Sequence, residues 1–267
     1  MAKIPRISHI QEFKDSGKKF ACLTSYDEMT AAIFDEAGIS MILVGDSAAE
    51  NHLGHDSVLT ITLDEIISLG NAVSKSVQSA LVVVDMPFGS YEASTEDAVR
   101  AAVRIMKETG AEAVKLEGGV RSQSQISAIV EAGIPVVGHI GFTPQSVHAL
   151  GGFKVQGRGD AAEQLVADAL AVQSAGAFAV VLELVPAELA ASVTKQLAIP
   201  TIGIGAGNGT DGQILVWTDF AGMSPAKPRK FVRQYVNLRE QLLVATKNYV
   251  ADVAAGTFPN ESESFED

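Results

Sequence analysis

Four times along this chain a helix-like segment runs into a glycine and an apolar run follows at once, at "EAG" 36–38, "ETG" 108–110, "EAG" 131–133 and "SAG" 174–176. A glycine there takes the left-handed conformation that ends a helix, without the steric cost a Cβ would add. The repeated unit is helix, glycine, strand. Eight apolar runs are placed to serve as its strands: "FACLTSYD" (20–27), "ISMILVGDS" (39–47), "ALVVVDMP" (80–87), "AEAVKLEGG" (111–119), "IPVVGHIGF" (134–142), "AFAVVLELVP" (177–186), "IPTIGIGAG" (199–207) and "QILVWTDF" (213–220). Runs that are apolar throughout suit a parallel sheet covered on both faces. Eight of them in about 200 residues predict an α/β fold, a (β/α)8 barrel rather than a doubly wound sheet.

The repeat is abbreviated once, because "NGTD" between strands seven and eight is too short for a helix. Ser8 to Asp15 reads as a short helix before the barrel, with Ser8 as its N-cap. Pro228 to Ala255 reads as one or two helices after it. Residues 1–260 are expected to form one domain, and the acidic stretch 261–267 a disordered tail.

Thirty-two acidic against 20 basic residues leave a formal net charge of −12, which argues against a nucleic-acid surface. A single cysteine, Cys22, excludes an intramolecular disulfide and a cysteine-rich zinc site, and its apolar neighbours make it core filling. The first 20 residues lack the apolar core of a secretory signal. No apolar run reaches the ~18 residues of a membrane span. A soluble, cytoplasmic protein is expected.

Barrel chemistry gathers at the C-terminal strand ends. Those ends carry Asp27, Asp46 with Ser47, Asp85, Lys115 with Glu117, His139, Glu183 and Asp219, while the upstream portions are almost uncharged. Lys115 and Glu117 stand two apart in one strand and so face the same way. Taken singly, each has a plain structural reading. Asp27 before "EMTAAIFDEAG" suits an N-cap, Asp219 can be structural, His139 a hydrogen-bonded core histidine, and Lys115–Glu117 an ion pair. Together they raise a charge problem. Carboxylates buried in one pocket rise in pKa unless cations compensate, and one lysine cannot balance Asp46, Asp85, Glu117 and Glu183.

A divalent cation can. Oxygen donors without cysteine point to a hard metal, Mg²⁺ first, with Mn²⁺ or Co²⁺ as substitutes. Asp46 and Asp85 suit direct ligation, with Glu117 direct or through water. A metal so held chelates a substrate with two adjacent oxygens, such as a 2-oxo acid, and acidifies the neighbouring C–H. Lys115 then faces the developing negative charge, and Glu183 is left as the candidate general base. Two glycine-rich loops stay open in meaning. "GIGAGNGTDG" (203–212) either cradles phosphate or permits a tight turn, and "GGFKVQGRGD" (151–160) is a lid, a subunit contact or a solvated loop.

With these residues assembled, the sequence resembles the ketopantoate hydroxymethyltransferase family from about residue 8 to residue 260. The motifs that carry the likeness are "TSYD", "VGDS", "DMPF", "VKLEGG", "GHIGFTPQSVHALGGFKVQGRG", "LELVPAELA" and "IGIGAGNGTDGQILV". The resemblance implies a (β/α)8 barrel, a homodecamer, and Mg²⁺-dependent transfer of a one-carbon unit from 5,10-methylenetetrahydrofolate to 3-methyl-2-oxobutanoate, a step of pantothenate biosynthesis. It implies Asp46, Asp85 and Glu117 as metal-associated carboxylates. It further implies Asp46, Ser47, Asp85, Lys115 and His139 as substrate contacts, and Glu183 as proton acceptor. The chain departs from the family pattern at Ala48-Ala49, where Leu-Gly is usual, at Leu184 for Cys, and at Thr218 for His.

Two other readings compete. One is a Mg²⁺-dependent C–C lyase of the isocitrate lyase type, which shares the enolate logic but commonly carries a cysteine in a mobile loop. Cys22 falls in strand one instead. The other is a catalytically silent barrel, which is hard to reconcile with an intact set of charged candidates.

Overall fold

Each apolar run supplies one parallel strand: β1 (Phe20–Thr24), β2 (Met41–Val44), β3 (Leu81–Asp85), β4 (Ala113–Glu117), β5 (Val136–Gly141), β6 (Ala179–Glu183), β7 (Thr201–Ile204) and β8 (Gly212–Leu215). They pair in chain order and β8 closes on β1, so the expected (β/α)8 barrel is the observed fold. The computed structural model describes residues 6–224 and 227–265. It divides into two compact units, residues 1–216 with the barrel and residues 217–267.

In the first unit α1 (Ile7–Asp15) precedes the strands, and α2 (Glu28–Glu36), α3 (Leu63–Ser76), α4 (Thr95–Thr109), α5 (Gln123–Glu131), the short α6 (Val147–Leu150), α7 (Ala161–Ser174) and α8 (Ala187–Gln196) lie between them. Gly38, Gly110, Gly133 and Gly176 all adopt positive φ, between 78° and 93°, at the helix-to-strand junctions the sequence marked. The cap of α1 is Arg6 rather than Ser8, because the extended backbone that begins the helix falls at Arg6. β7 and β8 are joined without a helix. In that connection a Cβ on Gly207 would meet the Ala187 Cβ at 2.4 Å, and one on Gly209 the Ala191 Cβ at 2.6 Å. Those glycines let the loop lie against α8, the tight-turn reading of this segment.

Alternation along the strands sets the layers of the interior. The lower inward positions are apolar: Met41 and Leu43, Leu81 and Val83, Ala113, Val137, Ala179 and Val181, with Ile10 of α1 in the same cluster. Cys22 belongs to it and is 2% exposed, the core role expected of it. Each large side chain here contributes roughly 1.5–3 kcal/mol relative to exposure. Two residues further along the same inward faces the chemistry changes, to Asp85 on β3, Lys115 and then Glu117 on β4, His139 on β5 and Glu183 on β6. Register places Asp85 opposite Lys115, Glu117 opposite His139 and Gly141 opposite Glu183.

The second unit contains α9 (Trp217–Phe220) and α10 (Leu238–Ala255). The helical reading of Pro228 to Ala255 holds only from Leu238, where the Asn237 side chain accepts the Glu240 N–H and starts the helix. Residues Glu261–Glu263 form a 3-10 turn capped by Asn260. The first five residues of the N-terminal segment and the last two of the acidic stretch lie outside the described residues.

Candidate active site

Asp46 and Ser47 follow β2 in a loop that Gly45 permits, since a Cβ there would meet Ser47 Oγ at 2.9 Å and Asp85 Oδ2 at 3.3 Å. The Asp46 N–H donates to Asp85 Oδ2 at 2.9 Å, joining the ends of β2 and β3. Lys115 Nζ lies 2.6 Å from Asp85 Oδ1. His139 stands between two carboxylates, with Nδ1 3.4 Å from Glu117 Oε1 and Nε2 3.2 Å from Glu183 Oε2. Ser47 Oγ is 2.8 Å from the Tyr26 hydroxyl, which also accepts from Thr24. Six ionisable side chains from five strand ends therefore converge, none more than 8% exposed.

One expected member, Asp27, falls elsewhere. Asp27 caps α2, its Oδ1 taking the Thr30 N–H at 2.8 Å. Asp219 lies in α9, beyond the end of β8 and in the second unit. Both had a structural alternative, and Asp27 takes it.

The electrostatics follow from burial. Desolvation, then the charge of Glu117, pushes Asp46 from an ordinary 3.8 up to about 6, against the pull of Lys115 and Gln145. Desolvation raises Asp85 equally far despite the Lys115 ammonium. Burial acts to lower Lys115, but Asp85, Asp46 and Glu117 outweigh it and hold the lysine above its usual value. Burial and Lys115 act to lower His139, yet the flanking Glu117 and Glu183 lift it from 6.5 to about 9. The two flanking carboxylates thus favour the protonated form of His139. Four carboxylates (Asp46, Asp85, Glu117, Glu183) face two cations (Lys115, His139), and 4 − 2 leaves two negative charges uncompensated when all are ionised.

That imbalance equals the charge of one divalent ion. Among the described residues no group of three or more His, Cys, Asp or Glu is drawn together closely enough to hold a metal alone. Mg²⁺ does not need one, because it binds through one or two carboxylates and keeps several waters. The Asp46–Asp85 pair fits that demand. Asp85 Oδ1 and Glu117 Oε1 are buried oxygens held by ion-pair contacts with Lys115 and His139.

Sequence reading missed Gln145 and Tyr91. Gln145 Nε2 donates to Asp46 Oδ2 at 2.8 Å, and its backbone N–H donates to Glu117 Oε2 at 3.1 Å. The Tyr91 hydroxyl donates to Gln145 Oε1 at 2.6 Å. The only sequence signal was the position of Gln145 just past β5, in "GFTPQS". Glu183 is followed by Leu184 at φ 48°, the one positive φ outside glycine among the described residues. Strain of that kind clusters at functional sites. The 151–160 loop is tied to this place, with Phe153 4.3 Å from the Phe142 ring and the Gln156 N–H on Leu184 O at 2.8 Å. Burial pushes the Cys22 thiol far up, so the one cysteine has no thiolate chemistry.

Ionisable groups confined to the C-terminal mouth of a closed parallel barrel define a (β/α)8 enzyme. The sequence model of ketopantoate hydroxymethyltransferase matches residues 5–261. The chain therefore belongs to the ketopantoate hydroxymethyltransferase family, and with it to the transferases. It is 62% identical to 3-methyl-2-oxobutanoate hydroxymethyltransferase of Corynebacterium efficiens, over 99% of this chain and 98% of that one. It is 57% identical to the protein of the same name from Leifsonia xyli subsp. xyli, over 97% and 94%. Solved structures with the same fold include phosphonopyruvate hydrolase in complex with oxalate and Mg++ (13% identity, TM-score 0.61, 96% and 92% covered). Another is 2,3-dimethylmalate lyase of the PEP mutase/isocitrate lyase superfamily (16% identity, TM-score 0.60, 98% and 93% covered). At these identities the likeness is one of fold alone. Among the described residues no helix is long and apolar enough to cross a membrane.

Proposed function

We propose that this protein transfers a one-carbon unit from 5,10-methylenetetrahydrofolate to 3-methyl-2-oxobutanoate, giving 2-dehydropantoate (ketopantoate) for pantothenate and coenzyme A biosynthesis, with Mg²⁺ as its metal. The observation that carries the reading is the buried mouth in which Lys115 pairs with Asp85, Asp46 bonds the same carboxylate, and His139 lies between Glu117 and Glu183. The near full-length likeness to relatives of that name supports the choice of substrate.

In this reading Asp46 and Asp85 hold the metal, with Glu117 acting directly or through water. Bound there, Mg²⁺ supplies Lewis acidity to the oxo group and makes the adjacent C3–H more acidic. Ser47, Lys115 and His139 join Asp46 and Asp85 in holding the oxo acid. The Lys115 charge faces the oxygen on which negative charge develops. Glu183 accepts the C3 proton, and the C–H electron pair passes into the enolate. Its C3 bonds to the methylene carbon of the opened donor iminium, whose π pair returns to nitrogen, and the proton on Glu183 is then available to that nitrogen. A closed mouth keeps water from hydrolysing the iminium to formaldehyde. We place the enzyme in the cytoplasm as a homo-oligomer, a homodecamer on the family pattern. Exposed Leu242, Leu243, Tyr249 and Val250 on α10 support such contacts.

One proton NMR time course in D₂O tests the reading, with protein, Mg²⁺, the oxo acid and the folate, and EDTA as control. Metal-dependent appearance of a hydroxymethylene signal is the expected result. C3 exchange without product would keep the enolate chemistry and lose the donor. Neither event, with folded and metal-loaded protein, would overturn the assignment.

A further inference from the structure

Gln145 sits in the loop after β5, yet its hydrogen bonds reach three other strand ends. Its amide nitrogen carries two protons, of which one goes to Asp46 Oδ2 at 2.8 Å and the other to the Met86 carbonyl at 3.0 Å. Its amide oxygen accepts the Tyr91 hydroxyl at 2.6 Å. That hydroxyl also accepts the Glu117 backbone N–H at 3.3 Å. Gln145 and Tyr91 are both buried, at 5% and 2% exposure.

The direction of every bond in this chain is determined. A backbone N–H can only donate, so the Glu117 amide makes the Tyr91 oxygen an acceptor and leaves the single phenolic proton for Gln145 Oε1. With its oxygen committed to Tyr91, the amide must turn its NH₂ toward Asp46. The Met86 carbonyl, which can only accept, imposes the same orientation independently. A network satisfied throughout in a low-dielectric interior is rigid. Asp46 Oδ2 is thereby fixed, while Oδ1 makes no hydrogen bond to the protein among the described residues.

We propose that Gln145 and Tyr91 are positioning residues: together they hold Asp46 and Glu117 so that Asp46 presents its second oxygen to a divalent cation and, with it, to the oxo acid. Tyr91 acts through Gln145, because without the phenol the amide oxygen loses its donor. In naming the oxo acid the proposal rests on the function proposed above. In naming Asp46 and its cation it rests on the hydrogen bonds alone.

The test compares full-length wild type with Tyr91→Phe and Gln145→Leu, reading Mn²⁺ affinity by calorimetry with and without 3-methyl-2-oxobutanoate, the KM of each substrate, and thermal unfolding. Outer partners of metal-binding carboxylates are worth about 10–100-fold in affinity or activity. Tyr91→Phe is expected to weaken Mn²⁺ binding and raise the oxo-acid KM by about 10-fold. It should leave the folate KM near wild type, while the melting temperature falls modestly because the Gln145 amide oxygen and the Glu117 N–H lose their partner. Gln145→Leu should do the same more strongly. A merely structural role would raise both KM values together, and that result overturns the proposal. So do wild-type Mn²⁺ affinity and oxo-acid KM in folded Tyr91→Phe, which decides alone should Gln145→Leu fail to fold. If wild type forms no product, the proposed function fails, while the Mn²⁺ comparison still decides the positioning roles. A wild type that binds neither Mn²⁺ nor the oxo acid would sink both.

Discussion

Lys115 Nζ and Asp85 Oδ1 stand 2.6 Å apart inside the barrel mouth, each almost fully buried and each on the next strand from the other. The pair carries more than its own two charges, because Asp46 is bonded to the second oxygen of Asp85. Removing the lysine leaves two buried acids without their nearest cation.

Lys115→Met should therefore cost about 3 kcal/mol or more of stability in the metal-free protein, the usual penalty for stranding half of a buried pair. Saturating Mg²⁺ should recover part of it, since the ion supplies the missing positive charge. Urea unfolding with and without the ion reads both effects. An equal loss with and without Mg²⁺ would mean that the ion does not sit near Asp85.

Glu183→Gln keeps the size of the side chain and removes the proton acceptor. Turnover should fall by roughly 10²–10⁴-fold, with the oxo-acid KM little changed. Deuterium exchange at C3 should fall by the same factor. Near-normal exchange would move the base role to another group, His139 being the neighbour at 3.2 Å.

Cation binding should tighten as pH rises through about 6, because Asp46 and Asp85 must ionise and burial holds both near that value. The stability linkage has a definite sign. Both acids are raised from 3.8 on folding, so between 3.8 and about 6 the native state keeps protons that the unfolded chain has released. Metal-free stability therefore falls as pH increases across that window. Asp46→Asn should flatten both profiles. Mn²⁺ affinity that stays constant from about pH 5 to 7.5 would contradict the assignment of these ligands.

Gly141→Ala should damage the site, and Gly133→Ala should not. Both glycines have φ near 90°, at 88° and 87°. A Cβ on Gly141 would meet the Glu183 carbonyl oxygen at 2.3 Å, whereas one on Gly133 meets nothing within 4 Å. The backbone cost alone is about 1–2 kcal/mol for each. Only Gly141→Ala should lose more than that and also lower kcat, through displacement of Glu183. Equal kinetics in the two variants would show that Glu183 tolerates the shift.

Much of this was legible in the chain itself. The four junction glycines and the eight apolar runs announced the barrel, because each device is local and a single residue type or period signals it. Lys115 and Glu117 could be assigned to one face from their spacing, and the ionisable strand ends to one mouth once the barrel was inferred. Asp27 marks where such reading loses resolution. An acid at the end of an apolar run caps the following helix as readily as it lines a cavity. The start of α1 at Ile7 and the late start of α10 show the same limit, since neighbouring polar residues compete for a cap.

The sequence by itself determined the order of strands, the apolar floor and the identity of the charges above it, because period-two alternation is a local rule. Tertiary structure decided which charge meets which. Only the pairing of β4, β5 and β6 placed Glu117 and Glu183 on either side of His139, favouring a protonated form that the sequence reading did not count. Only the loop after β5 brought Gln145 to Asp46, 99 positions away in the chain. Desolvation and hydrogen-bond direction depend on distances between groups remote in sequence, and no spacing along the chain encodes them.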